Sequence, residues 1–473
     1  MEQILLPTRI IKAVSVENGD ELCKKKPLQV VLRDDKQWTD SLATTKCGYV
    51  ILDFGKEMNG SIRIITGANE ESTSKIWVRF GESLSETCSE IGKKGATNDH
   101  SPRDFETYIS AFGDITVGNS GFRFVRIDFL SHKKIYIQNI WCVNKILSKK
   151  PIYRYQGKDE RIKQIFDVAK RTVDLCAAGE YVWDGVKRDR LVWIGDLHPE
   201  MLALVSLYGR MEVVERSLDF VREQTPENMW MNGIASYSMW WIIIVADYYF
   251  LTGTRQFAEK QLGEIEKLVK RFDEYVDEDG QMRYEWMFVD WQTCDTVDAE
   301  AGVRAINVIA LKKAIELLQD FGKDTALAKK VLNKLQGKVI QAQEQKQVIA
   351  LKYFAEGSIS EQEYQLLIKD GVQGMSTFMS YYILKAVASR NEALAVEMLK
   401  EYYGGMLDMG ATAFFEDFDL NWTKNACPID KFPTEDKQDL HGDFGAHCYK
   451  GFRHSLCHGW SSGIIKFIKE LDC

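Results

Sequence analysis

The chain has no surplus of positive charge: 61 Lys and Arg stand against 69 Asp and Glu, a formal net charge of −8. Nucleic-acid backbones and anionic membrane surfaces reward basic patches, so neither is expected as a main partner and a neutral ligand fits better. The short runs Lys24-Lys25-Lys26 and Lys149-Lys150 sit beside Pro27 and Pro151 and read as solvated loops. A long apolar run is missing too. The most apolar stretch, Met239 to Leu251, is interrupted by Asp247 and falls far short of a membrane span. Met1 to Arg9 shows no basic region followed by an apolar run and a small-residue cleavage site, so the chain reads as cytoplasmic. Ten cysteines are scattered from Cys23 to Cys473 without a Cys-x-x-Cys pair. A chain of 473 residues needs no covalent staples, and reduced thiols are expected.

What the chain does have is aromatic side chains, 12 Trp and 19 Tyr among them. In an acidic chain these suggest flat apolar platforms with polar tips, which suit a sugar ring and equally a large helical core. Up to about Asn144 the pattern is one of short alternating or β-branched runs: Gly48 to Gly55, Ser61 to Thr66, Lys75 to Phe80, Phe122 to Phe129 and Ile135 to Trp141. Polar turns separate them, which predicts a β-sandwich over residues 1–148. Cys88 to Phe105, rich in Ser, Gly, Lys and Asp, reads as a mobile insertion. After Pro151 the periodicity becomes helical and stays so. Segments at Asp159 to Ala178, Pro199 to Tyr208, Met211 to Glu223, Ser236 to Leu251, Phe257 to Val276, Ala299 to Phe321, Asp324 to Leu335, Ser376 to Ser389, Asn391 to Tyr402 and Trp460 to Leu471, with weaker ones near Gln341 and Glu361, make roughly a dozen helices. Hairpins of that number and length close most economically into an (α/α)6 toroid over residues 149–473. An open helical superhelix is the alternative, although no fixed-period repeat supports one.

Asp184 to Asp196 is the most informative segment. It packs three carboxylates, three cations and a tryptophan between two helical segments. It can be a surface loop of mutually neutralising charges; it is also how a protein tunes an acid and seats a sugar ring. Trp286 to Trp291 and Met409 to Phe418 repeat the mixture of Trp or Phe with acids, and Asn228 to Gly233 sets a Trp between amides. Unpaired acids are costly to bury without a ligand. Two opposed carboxylates across a cleft are the equipment for glycoside hydrolysis, one donating a proton to the departing oxygen and the other activating water or attacking directly. Cys427, His441, His447, Cys448, His454, Cys457 and His458 invite a zinc reading, but their spacings match no standard module, and no metal or other cofactor is expected.

Arg188-Asp-Arg-Leu-Val-Trp-Ile-Gly-Asp196 resembles the Arg-Asp-Glu-Arg-Leu-Gly-Trp-Thr-Gly-Asp motif of the inverting α-L-rhamnosidases of glycoside hydrolase family 78, six-hairpin glycosidases. Asp53-Phe-Gly55 with Gly60, Phe80-Gly-Glu82 and Gly121-Phe-Arg-Phe124 are similar to the β-sandwich that precedes the barrel there. Asp290-Trp291, Gly410-Ala-Thr-Ala-Phe-Phe-Glu416 and Ser455-Leu-Cys-His-Gly-Trp-Ser-Ser-Gly463 are similar to the later barrel motifs. The resemblance implies an exo-glycosidase acting on terminal α-L-rhamnose, with Asp189 at the general acid and Glu416 at the general base. It places Asp184 at or near the acid that contacts the rhamnose hydroxyls, and Trp193 and His458 at sugar-contacting positions. Arg188, Asp196, Trp240, Asp290 and Trp291 complete the expected substrate-binding set. Two departures stand out. The proposed acid is Asp where the family has Glu, in a loop one residue shorter, and no C-terminal β-sandwich follows the barrel motifs. The rival readings are a six-hairpin glycosidase of other specificity, for example toward uronic acids, and a sugar-binding relic without turnover.

Overall fold

The computed structural model describes residues 2–32, 42–294, 296–338 and 340–472, with the side chain of Cys448 also outside the description. Seven strands form one hydrogen-bonded sheet: β1 (Glu2–Leu5), β2 (Arg9–Glu17), β3 (Ala43–Thr66), β4 (Thr73–Gly81), β5 (Asp104–Ser110), β6 (Asp114–Phe129) and β7 (Ile135–Lys145). Their order is β1-β7-β3-β6-β4-β5, with β2 added to β3. The sheet wraps over a single apolar core, in which Val50, Leu52, Ile62 and Ile64 of β3 meet Ile76 and Val78 of β4 and Ile137 and Ile140 of β7. The two separate runs expected at residues 48–55 and 61–66 are one bent strand. Its pairing with β6 slips between Asp53 and Met58, where Gly55 adopts φ +80° and a Cβ would strike Thr8 at 2.8 Å. Such a bulge bends a strand without ending it. Strands β1, β2 and β5 escaped the sequence reading because their outward faces are polar and they are short or edge-like; β2 alternates weakly and is half exposed.

Cys88 to Phe105, expected as a mobile insertion, instead packs back onto the molecule. Ser101 and Arg103 are buried, the Arg453 guanidinium bonds Asp99 at 2.7 Å, and Phe105 belongs to β5. A short helix α1 (Leu84–Cys88) precedes it.

Twelve α-helices follow among the described residues: α2 (Glu160–Cys176), α3 (Ile194–Tyr208), α4 (Glu212–Gln224), α5 (Ala235–Thr252), α6 (Arg255–Tyr275), α7 (Ala299–Asp320), α8 (Ala326–Gln336), α9 (Lys346–Glu356), α10 (Glu361–Ile368), α11 (Ser380–Ala388), α12 (Glu392–Asp408) and α13 (Ile464–Leu471). They alternate in character. Every residue of α3 is buried, as is α5 from Ala235 through Ala246, whereas α2, α4, α6 and α8 bury one stripe each. That is the signature of inner helices surrounded by protein and outer helices facing water on one side. Neighbours run α3, α5, α7, α9, α11, and the 3-10 turn Gly459–Gly463 that leads into α13 packs back on α3, closing the ring. The closure excludes the open superhelix. Helix α3 begins at Ile194, five residues before Pro199; the Leu197 N–H already bonds the Trp193 carbonyl at 3.1 Å, so the proline falls in the second turn at the cost of one hydrogen bond. Among the described residues no helix is long and apolar enough to cross a membrane.

Candidate active site

The segment Asp184 to Trp193 links α2 to α3 and is pinned from several directions. The Asp184 Oδ1 accepts the Leu191 N–H at 2.9 Å, an Asx-type clasp that folds the loop on itself. Its backbone carbonyl accepts the Gly459 N–H at 2.6 Å, and Gly185 bridges to His458. Gly459 has no substitute here, since a Cβ would fall 1.6 Å from Glu200 Oε1. Asp189 and Arg190 both take left-handed backbone, φ +52° and +54°, a conformation that is uncommon for residues other than Gly and that clusters at functional sites.

Glu416 comes from the loop after α12. Its backbone N–H bonds the Ser455 carbonyl at 2.9 Å, its Oε2 accepts the Ser455 N–H at 2.9 Å, and its backbone carbonyl accepts the Trp460 indole N–H at 2.9 Å. Arg188 joins the two proposed catalytic carboxylates. One Nη donates to Asp189 Oδ1 at 2.7 Å and the other to Glu416 Oε1 at 2.5 Å, while Nε donates to the Arg453 carbonyl at 2.8 Å. With both bonds on one rigid fork, the bonded oxygens lie no more than about 7.5 Å apart.

Asp184, Arg188, Asp189, Trp193, Asp196, Trp291, Glu416 and His458 line one pocket of about 280 Å³. A second pocket of about 230 Å³ adjoins it and shares Trp291, Glu416, Tyr449 and Trp460. Asp290 lines this second pocket, with its carboxylate engaged by the Ser376 hydroxyl at 2.7 Å and the Thr293 N–H at 2.9 Å. Trp240, expected to bind substrate, lines neither pocket. It is 1% exposed and stacks on His198 with centroids 5.1 Å apart, because α5 is an inner helix buried on all sides and its tryptophans serve the core. Tyr237, Trp286, Phe288, Tyr449 and Trp460 join the pocket wall. Trp286 and Trp460 lay within aromatic loops visible in the sequence, whereas Tyr237 and Tyr449 gave no local signal.

Burial dominates the electrostatics. It pushes Asp184 and Asp196 well above the usual carboxylate range, with their mutual repulsion adding to it for Asp184. Glu416 is also raised by burial, against the opposing pull of Arg188 and the Ser455 N–H. Burial, then the Arg188 charge, drives His458 well below its ordinary value. Its Nε2 stands 3.5 Å from Glu416 and 3.7 Å from both Asp184 and Asp196, and the ring rests on Trp460 at 4.3 Å. Buried acids shifted upward and an imidazole shifted downward, set around an aromatic wall, offer donors and acceptors of the kind that sugar hydroxyls need.

The described histidines and cysteines considered for zinc have other partners, and the side chain of Cys448 lies outside the description. His447 stacks on Trp291, His454 Nε2 accepts the Asp417 N–H at 2.9 Å, and Cys427 and Cys457 are free thiols, as are the other described cysteines; Cys473 lies outside the described residues. Among the described residues one group, Glu82, Glu86 and His441, has ligand-like geometry, but the Lys187 ammonium already sits against it, 2.9 Å from Glu82.

Residues 154–356 match the family model for the bacterial α-L-rhamnosidase six-hairpin glycosidase domain. The fold is similar to a rhamnosidase from Klebsiella oxytoca with rhamnose bound, at TM-score 0.76 and 18% identity, over 100% of this chain and 96% of that one. It is similar to a family 78 rhamnosidase of Bacillus sp. GL1 at TM-score 0.71 and 18% identity, over 94% of this chain and 48% of that one. A Streptomyces avermitilis α-L-rhamnosidase complexed with L-rhamnose follows at TM-score 0.61 and 13% identity, over 89% of this chain and 42% of that one. The chain thus spans nearly all of the first relative and about half of the other two. No curated protein matches the sequence. Residues 154–356 thus match the six-hairpin glycosidase domain model, and the fold of the chain is shared with the rhamnosidases named above.

Proposed function

We propose that the chain is an inverting exo-glycosidase that removes terminal α-L-rhamnose, with residues 1–148 as a supporting sheet domain and 149–473 as the catalytic domain. Asp189 protonates the glycosidic oxygen. Glu416 takes a proton from a water that attacks the opposite face of the sugar. The observation that carries this reading is the Arg188 fork, which holds both carboxylates at one pocket; its ceiling on their separation, about 7.5 Å, overlaps the range of about 6.5–9.5 Å used by inverting enzymes. Asp184, Asp196 and His458 supply polar contacts to the ring hydroxyls, and Trp193, Trp291 and Trp460 supply apolar walls. A uronic-acid substrate is disfavoured because a substrate carboxylate needs a free counter-charge, and every nitrogen of Arg188 is engaged by protein acceptors.

One observation favours a sugar-binding protein without turnover: Asp189 Oδ1 is held by Arg188 and lies 3.6 Å from His100, so the proton donor must first be freed from its neighbours. A panel of nitrophenyl glycosides separates the two. Release of nitrophenol from the α-L-rhamnoside alone, with β-rhamnose as the first anomer seen by proton NMR, is the expected result. Rhamnose binding in calorimetry with no release from any glycoside would establish the binding protein instead.

A further inference from the structure

Next to Arg188 in sequence, Lys187 is fully buried, and its ammonium is surrounded. Glu82 Oε2 lies at 2.9 Å and Glu86 Oε1 at 3.2 Å, and Nζ donates to the carbonyls of Phe452 at 3.0 Å and His454 at 2.6 Å. Glu82 comes from the turn between β4 and α1 and Glu86 from α1 itself, so the cation spans from the sheet domain to the barrel loops. Glu82 also accepts the Leu456 N–H at 2.7 Å. His441 closes the cage: Nε2 bonds the His454 carbonyl at 2.8 Å and Nδ1 the Ser83 hydroxyl at 2.8 Å. Gly121 of β6 lies against the backbone of the same segment, where a Cβ would meet the Lys187 backbone nitrogen at 2.7 Å. The segment held in this way, Phe452 to Leu456, presents the Arg453 carbonyl to Arg188 and the Ser455 N–H to Glu416.

We infer that Lys187 is a positioning residue: its ammonium is the internal cation that fixes the Phe452 to Leu456 segment against the sheet and thereby sets where Arg188 and Glu416 stand. It lines neither of the two adjoining pockets. A buried ion pair of this kind is poor support for stability in general, since desolvation offsets most of the attraction; its use lies in selecting one arrangement of three segments distant in sequence. Glu82, Glu86 and His441 offer ligand atoms within 4.8 Å of one another, so the ammonium stands where a divalent cation could stand. Removing the lysine side chain leaves those ligands around an empty space, with oxygen and nitrogen donors suited to zinc.

The test uses the full chain and hydrogen exchange read by mass spectrometry, with Zn²⁺ as the probe. In Lys187→Ala, exchange is expected to rise in residues 184–191 and 452–458 while the outer helices stay as in the wild type, and added Zn²⁺ slows it again in the variant alone. The kinetic arm rests on the rhamnosidase reading above: kcat falls by about 10²-fold, the effect of displacing catalytic groups by about 1 Å, KM changes less, and Zn²⁺ restores part of kcat. Unchanged exchange in both segments, or an equal rise throughout the chain, overturns the inference whether or not the wild type hydrolyses rhamnosides. If Lys187→Ala does not fold, Glu82→Gln, which keeps the shape and removes one charge, is expected to raise exchange at 452–458; wild-type exchange there overturns the inference.

Discussion

Glu416 and Asp189 sit at two ends of one guanidinium, yet the chain holds them in opposite ways. Glu416 is buried, with its backbone and both carboxylate oxygens engaged by Ser455, Arg188 and Trp460. Asp189 stands on left-handed backbone at the pocket rim, its side chain 19% exposed, with Arg188 and His100 beside it. If Glu416 is the base proposed above, it gains from immobility, because orientation supplies much of the rate. If Asp189 is the proposed donor, its place at the mouth lets it meet leaving groups of varied shape. The departure from the motif that the sequence resembles, Asp for Glu in a shortened loop, falls at the more exposed, less extensively bonded end.

The strongest way to break this comparison is at the fixed end. Glu416→Gln is expected to lower kcat about 10²–10⁴-fold, the usual effect of losing a general base, while rhamnose still binds by calorimetry because the amide keeps the shape. Unchanged turnover would remove Glu416 from the mechanism. Arg188→Met should abolish activity and destabilise the fold by about 3–5 kcal/mol, since it leaves a buried carboxylate without its partner. Urea unfolding of Arg188→Met combined with Glu416→Gln should recover part of that loss, and strict additivity would mean that the two side chains are not coupled.

At the loose end the expected effects are smaller and depend on substrate. Asp189→Asn should slow hydrolysis of rhamnosides with poor leaving groups far more than that of an activated nitrophenyl rhamnoside, whose oxygen departs with little protonation. Equal losses on both would mean that Asp189 positions the sugar or the loop, and Asp184 or Asp196, both raised by burial, would be the next donors to test. The smallest effect concerns stability against pH. His441, His454 and His458 are all driven well below the ordinary imidazole value of 6.5, chiefly by burial. A depressed folded pKa gives stability that is present above the unfolded value and lost on acidification, so the urea midpoint should hold above pH 6.5 and fall below it. His454→Asn should shallow that acid limb, and an identical limb would assign it to other groups.

The alternation of apolar residues along β3, β4 and β7 and the helical stripes of α2, α4 and α6 were legible in the sequence because both patterns are local, repeating within a few residues of the chain. The same holds for the acid-rich segment from Asp184 to Asp196, whose loop clasp spans seven residues. Trp240 was misread because an aromatic on a uniformly apolar helix carries no mark of whether it faces a pocket or a neighbour. The Arg188 fork and the Lys187 cage had no local signature at all: Arg188 meets Glu416 across 228 residues, and Lys187 meets the His454 carbonyl across 267. Composition and periodicity determined that this chain forms a sheet followed by paired helices bearing acids and tryptophans. Which acids face one another was decided only when the helical ring closed on the sheet, because a buried charge must find its partner wherever the fold brings one within hydrogen-bond reach.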